Sequence, residues 1–155
     1  MAQPEFYYVL LIDAPRDRVW EALTNGAFTR QYWHATDVRS DWAKGSNVEF
    51  LVESDEGPVV GCAGKVLEAD RPARLSYSWH FPLNPKCAAE EPSRVTFELE
   101  EIEGATKLVV RHDQFTSTSS ETYQMVRDGW PYVLAGLKTL CEKGETRDFS
   151  LLHSA

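Results

Sequence analysis

Among the residues of this chain that could do chemistry, His112 is the best placed. It follows Leu108 and Val110 at two-residue spacing, so the three share one face of an extended segment. An imidazole on an inward face can hydrogen-bond a ligand oxygen or act as a general base near neutral pH. The plainer use of such a residue is a satisfied core or rim histidine. His80 falls on the polar face of its segment, where solvation is expected, and His34 simply follows Trp33. Arg111, Asp113 and Gln114 flank the same strand end, where they would orient a ligand head or, more simply, form a structural ion pair. Metal chemistry finds no support, because the chain has no CxxC, no HxxxH and no paired His-carboxylate spacing. Nucleophilic catalysis lacks a GxSxG, and Ser117 to Ser120 read better as loop and helix cap. The nine glycines are scattered at turns rather than gathered into a phosphate cradle, so no cofactor is expected.

The aromatic residues carry the stronger signal. Five Trp, six Tyr and seven Phe are more than a polar surface domain would use. Small-molecule sites are typically walled by aromatic and apolar side chains with a few polar groups, although a plain core has the same composition. The candidates for a cavity wall are Trp33, Phe50, Trp79, Phe81, Phe97, Val110, His112, Phe115, Tyr123 and Trp130. Of these, Trp79, Phe81, Phe115 and Trp130 stand at strand ends or beside a helix break. Trp42 belongs to the same aromatic set.

The composition limits the partners. Sixteen basic against 24 acidic residues give a net charge of -8, which disfavours nucleic acid and anionic membrane surfaces. The opening Met1-Ala2-Gln3-Pro4-Glu5 lacks a signal peptide's basic and apolar regions, and no stretch reaches the ~18 apolar residues of a membrane span. Cys62, Cys87 and Cys141 are too few and too far apart for a disulfide framework, and suit a reducing, cytoplasmic setting. A chain of 155 residues fits one domain, taken as 1–155 with a core from about residue 5 to 143 and a loose tail over 145–155.

These residues need elements to hold them. Phe6 to Ile12 reads as a first strand buried on both faces, ended by Asp13-Ala14-Pro15, with Asp13 as a helix cap. Two short helices follow, split at Asn25-Gly26. From Val48 the period becomes two: strands are expected at Val48–Val52, Val59–Ala69, Leu75–Phe81, Val95–Leu99 and Leu108–His112, with a turn at Glu103-Gly104. The Pro-bearing 83–92 segment reads as an exposed loop. Thr118-Ser119-Ser120-Glu121 fits a capping box, and Val126, Trp130, Val133, Leu134, Leu137, Leu140 and Cys141 make a helical stripe ended by Gly144. Pro131 inside that stripe predicts a kink or a fresh helix start near Gly129. A curved antiparallel sheet and a long terminal helix can bury their apolar faces on each other, giving an α+β domain with room left inside.

Several pieces in this order resemble a known family: Val19-Trp20-Glu21-Ala22-Leu23-Thr24, Tyr32-Trp33, Trp42-Ala43-Lys44-Gly45, Gly64-Lys65-Val66-Leu67-Glu68, Pro72-Ala73-Arg74-Leu75-Ser76-Tyr77-Ser78-Trp79, Ser93-Arg94-Val95-Thr96-Phe97-Glu98-Leu99, and Gly129-Trp130 with Leu134, Leu137 and Leu140. Together they are similar to homologues of the heat-shock-protein-90 ATPase activator's C-terminal domain, within the START-like (SRPBCC) superfamily. The resemblance implies a helix-grip (Bet v 1-like) fold over nearly the whole chain. It also implies a choice of roles: an internal site for a small hydrophobic or amphipathic molecule, a co-chaperone-like interaction module, or a polyketide-cyclase-like enzyme. Ligand binding without catalysis is the leading expectation. A homodimer stays open. The larger N-terminal domain that activators carry is not expected here, which weighs against a chaperone partner.

Overall fold

The computed structural model describes residues 4–117 and 119–153. The elements follow as β1 (Phe6–Ile12), α1 (Arg16–Thr24), α2 (Gly26–Tyr32), β2 (Asp37–Arg39), β3 (Asn47–Ser54), β4 (Gly57–Asp70), β5 (Arg74–Trp79), α3 (Pro85–Ala88), β6 (Ser93–Ile102), β7 (Ala105–Asp113), α4 (Glu121–Lys143) and α5 (Ser150–His153). The strands form one antiparallel sheet in the order β1-β7-β6-β5-β4-β3-β2. Short turns join β3 to β4, β4 to β5 and β6 to β7, which makes these pairs antiparallel neighbours. Glu103 (φ 49°) and Gly104 (φ 88°) are both left-handed, the two-residue hairpin turn whose twist suits the flanking strands. The result is the helix-grip architecture: a curved sheet closed over the long helix α4, with α1 and α2 after the first strand.

The apolar stripe of α4 meets the inward residues of β5, β6 and β7 in one core that includes Tyr77, Phe97, Leu99, Leu108, Val110, Trp130, Leu134 and Leu137. The helix ends as its sequence suggests, with Gly144 left-handed and its N–H on Leu140 O at 2.8 Å. At the other end Ser120 is the cap, its Oγ accepting from Tyr123 N at 3.1 Å. Thr118, the first residue of the expected capping box, lies outside the described residues. Pro131 does not restart the helix, which runs unbroken from Glu121 to Lys143. Core packing on either side of the proline holds the helix in one piece.

Other expectations need correction. β1 is an edge strand bonded only to β7, and it is not covered on both faces: Phe6 and Ile12 are buried, but Tyr7 is 53% and Leu11 59% exposed. Asp13 caps nothing; its backbone N–H donates to Glu142 Oε2 at 2.8 Å, and Pro15 stands at the start of α1 without a side-chain cap. The 83–92 segment contains α3, capped by Asn84 Oδ1 accepting from Lys86 N and Cys87 N, with Cys87 buried. Its Glu90 accepts from Ser120 Oγ at 2.8 Å, Glu121 N at 2.9 Å and Thr122 N at 3.2 Å, which ties this connection to the first turn of α4. Burial pushes the Glu90 carboxyl up, but these hydrogen bonds outweigh it and hold the group below the usual carboxylate range. The segment expected to form a loose tail carries contacts too: His34 N donates to Ser150 Oγ at 2.8 Å, and Ala35 N to Asp148 Oδ2 at 3.1 Å.

Two glycines on α4 show how closely the helix is seated. A Cβ on Gly136 would stand 2.7 Å from Tyr32 Cβ, so only glycine lets α4 approach α2 here. A Cβ on Gly129 would meet nothing within 4 Å, although Gly129 is buried. Gly136→Ala should therefore destabilise the fold by about 1–3 kcal/mol through overpacking. Gly129→Ala should be tolerated and stabilise by up to about 1 kcal/mol through helix propensity. Urea unfolding of the two variants reads the opposite signs; equal effects would refute this account of the helix seat.

Candidate functional site

The space that Gly129 faces is a cavity of about 450 Å³. Each wall follows from local sequence. From α4 come Met125, Val126, Gly129, Trp130 and Val133, whose spacing places them on adjoining helical rows. β3 contributes Phe50 and Val52, two apart and so on one face. β4 contributes Gly61 and Cys62 at a bulge: Phe50 pairs with Cys62 but Leu51 with Val60, leaving Gly61 as the extra residue. Trp79 ends β5 and Phe81 lies just beyond it, while Trp33, His34 and Thr36 come from the turn after α2. That turn is unusual, since His34 (φ 50°) and Ala35 (φ 55°) are both left-handed without being glycine. The contacts with Asp148 and Ser150 and the Thr36 Oγ bond to Trp33 O at 2.6 Å hold it.

Of the ten residues expected at a cavity wall, Trp33, Phe50, Trp79, Phe81 and Trp130 are there. The ring of Trp33 lies 4.8 Å from that of Phe50 and 5.3 Å from Trp130, while Trp79 lies 5.6 Å from Trp130 and 5.5 Å from Phe81. Phe97, Val110, His112, Phe115 and Tyr123 do not line it. They stand on β6, on β7, in the segment after β7 (Phe115) and at the start of α4. Phe97 packs edge-on behind Trp130 at 5.9 Å, Phe115 stacks on His112 at 4.7 Å, and Tyr123 meets Phe115 at 5.0 Å. The sequence reading missed Met125, Val126, Gly129, Val133, Val52, Gly61, Cys62, His34 and Thr36. Val126 and Val133 were visible in the helical stripe, but periodicity alone does not tell a core face from a cavity face.

His112 is fully buried and does not reach the cavity. Its Nδ1 accepts from Trp130 Nε1 at 3.2 Å, and its Nε2 lies 2.8 Å from Ser93 Oγ. Because the indole can only donate, Nδ1 must be bare and Nε2 must carry the proton, which it donates to Ser93. Burial pushes the pKa of His112 down to about 3. The imidazole is thus neutral and serves to orient Trp130. Asp113 and Arg94 form a two-pronged ion pair at 3.0 and 2.8 Å, and Arg111 pairs with Glu5 at 3.3 Å, so this polar group is structural. His80 is half-buried, with its Nε2 3.1 Å from Ala88 O.

The chemistry of the wall is narrow. Among the described residues, no Asp, Glu, Lys or Arg lines the cavity, and no cluster of three or more His, Cys, Asp or Glu could hold a metal ion. All three cysteines are free and buried; burial pushes the Cys62 thiol far up and that of Cys141 up to about 12. Trp79 Nε1 is buried with no hydrogen-bond partner. No helix among the described residues is long and apolar enough to cross a membrane.

His112 gives a pH signature. Its folded pKa of about 3 lies below the ordinary histidine value, so between the two the unfolded chain holds the extra proton. Its contribution to stability is complete above about pH 6.5 and declines as pH falls, by up to about 1.4 kcal/mol per pH unit. In urea unfolding between pH 7 and pH 4, His112→Gln should show a shallower loss of stability than the unsubstituted protein. Parallel curves would show that His112 does not titrate as a buried neutral group.

Comparison with known proteins agrees with the architecture. The family described as "Activator of Hsp90 ATPase homolog 1-like protein" matches residues 13–142. No curated protein matches the chain. Among solved structures, ChR145 from Cytophaga hutchinsonii is 25% identical with a TM-score of 0.73, over 93% of this chain and 97% of that one. CalU16 from Micromonospora echinospora is 23% identical with a TM-score of 0.70, over 97% of this chain and 81% of that one. The Aha1 dimer from Colwellia psychrerythraea is 18% identical with a TM-score of 0.69, over 92% of this chain and 98% of that one. With that match over most of its length and the same helix-grip sheet and helix, the chain belongs to the family of proteins like Activator of Hsp90 ATPase homolog 1.

Proposed function

We propose that this protein binds a small, mainly apolar molecule in the cavity between β3, β4, β5 and α4. The observation that carries the reading is the open space beside Gly129, a buried helical residue whose missing side chain would touch nothing within 4 Å. Close-packed interiors seldom leave such space, and a helical glycine costs roughly 1 kcal/mol relative to alanine. A cavity of about 450 Å³ falls within the range used for small ligands. A guest would gain on the order of 25 cal/mol for each Å² of apolar surface it buries. His112, the candidate general base, has both nitrogens engaged and stands behind Trp130, which supports holding a guest over transforming one.

The family name favours a second reading, a co-chaperone-like contact with an Hsp90-type ATPase. Such a contact would use the outer surface. Stimulation of a purified Hsp90 ATPase that survives filling of the cavity would favour this second reading.

The test of the first is a thermal-shift screen of neutral organic compounds against the protein and against Gly129→Leu, which places an aliphatic chain in the cavity. A compound held at a hundred times its Kd stabilises by about 2.7 kcal/mol, a rise of several degrees. Gly129→Leu should fold normally and lose that rise. A rise unchanged by the substitution would place the site elsewhere.

A further inference from the structure

We infer that the segment after α4, from Arg147 to Ser150, is a strap that holds the 33–36 turn closed against the cavity, so that its release opens the cavity at that turn; this rests on the reading of the cavity as a binding site. The turn is part of the wall, since Trp33, His34 and Thr36 all line the space. Its two ends are anchored locally. Trp33 N donates to Thr29 O at 2.9 Å, Trp33 O accepts from Thr36 N at 2.9 Å, and Thr29 Oγ donates to Thr36 O at 2.8 Å. The two middle amides instead reach residues 116 and 113 positions further along the chain. His34 N donates to Ser150 Oγ at 2.8 Å, and Ala35 N donates to Asp148 Oδ2 at 3.1 Å.

The backbone shows why those two bonds matter. His34 (φ 50°) and Ala35 (φ 55°) are consecutive left-handed residues, and neither is glycine. Such a conformation persists only where the surroundings over-determine it. The strap supplies an acceptor to each of the two strained residues. Once both acceptors withdraw, the pair can relax towards ordinary backbone. Because the ends of the turn stay anchored, the movement falls on His34 and Ala35, at the cavity wall.

The strap is arranged to let go as a unit. Gly144 ends α4 in the left-handed conformation, and α5 packs back on α4. Asp148 organises the segment: its Oδ1 accepts from Ser150 N at 3.1 Å and from Ser150 Oγ, while its Oδ2 takes Ala35 N. One carboxylate thus bonds Ala35 directly and aims the Ser150 hydroxyl at His34. Ser150 is fully buried, but Leu151 and Leu152 beside it are exposed, so little apolar surface fastens the end of the strap. A segment held mainly by a few polar contacts opens locally, without unfolding of the core.

The cysteines provide the test. All three are free and buried: Cys62 lines the cavity, Cys87 lies against Met125 at the other rim, and Cys141 lies outside the cavity. Labelling with N-ethylmaleimide, followed at each cysteine by peptide mass spectrometry, reports where the protein opens. Asp148→Ala should speed labelling of Cys62 by roughly tenfold or more, the effect of losing a hydrogen bond to a charged group. Ser150→Ala should speed it by about three- to tenfold, the range of one net hydrogen bond. Labelling of Cys87 and Cys141 should be unchanged in both variants. Unchanged labelling of Cys62 would overturn the inference. Equal acceleration at all three cysteines would overturn it too, by showing that Asp148 supports the whole fold. Acceleration at Cys62 and Cys87 together, with Cys141 unchanged, would move the opening to the other rim and refute the strap. If neither variant folds, amide hydrogen exchange of the unsubstituted protein decides: the amides of His34 and Ala35 should exchange together and ahead of the middle of α4, and protection equal to that of α4 would refute the strap. The labelling needs no guest, so its results bear on the strap, whereas a blank thermal-shift screen bears on the binding reading.

Discussion

An indole N–H buried away from water is costly to leave unpaired, and for Trp130 the acceptor is His112. The bond joins the middle of α4 to the inner face of β7, and Ser93 on β6 receives the imidazole's other nitrogen. Three consecutive elements, β6, β7 and α4, are thereby fixed by two hydrogen bonds in a dry environment, where each is costly to leave unmade. The rest of the interior follows from this placement. With Trp130 held over His112 and Phe97, α4 is tied to β6 and β7 through that side chain. Further along its inner face Gly129 leaves open space. The cavity there is lined by Phe50 and Cys62 from the sheet and by Val126, Gly129 and Val133 from the helix.

The two glycines of α4 mark the two ends of this arrangement. At Gly136 the helix comes so near to Tyr32 that a methyl group has no place; at Gly129, two turns earlier, there is room to spare. A helix seated uniformly on its sheet would show neither extreme. Tyr32 is itself held by its hydroxyl, which donates to Ala22 O at 2.7 Å, so α1, α2 and the C-terminal half of α4 form one rigid corner. Trp33 follows directly from that corner into the cavity wall. Its backbone is therefore placed by packing outside the cavity, while its ring rests on Phe50, Trp79 and Trp130 within the wall.

Most of the architecture was legible because it depends on periodicity and turn chemistry. Strands β3 to β7, the helices on either side of Asn25, and the long helix ended by Gly144 were all announced by spacing that has one physical meaning. What was illegible depended on neighbours distant in sequence. The run from Phe6 to Ile12 is apolar enough for a central strand, and only the strand order shows that it forms an edge. The capping carboxylate for α4 comes from Glu90, about thirty residues upstream, where no local pattern points to it. Half of the expected cavity wall lies outside this cavity for a related reason. Alternation places Phe97, Val110 and His112 on the inner face correctly, but it does not say which part of that face the helix touches. Gly129, a helical position with nothing opposite it, was noticed beside Pro131 and in the Gly129-Trp130 pair, but not as a cavity residue.

The mouth of the cavity is built differently from its floor. Met125 lines it and receives Cys87 Sγ and Asn84 Nδ2, each at 3.5 Å, from the segment that Glu90 ties to α4. On the opposite rim, His34 and Ala35 adopt left-handed backbone that ordinary residues reach only at some cost, and residues from Asp148 to Ser150 bond their amides. Both rims thus rely on a few polar contacts from connecting segments, whereas the floor is strand and the roof is helix. Local opening requires the loss of few contacts at the rims and of many within the core. The structure therefore combines a rigid aromatic wall, which sets what fits, with rims that can yield separately. Neither segment takes part in the bond between Trp130 and His112. On the proposed reading, a substitution at Glu90 or Asp148 would act on exchange of a guest more than on its fit.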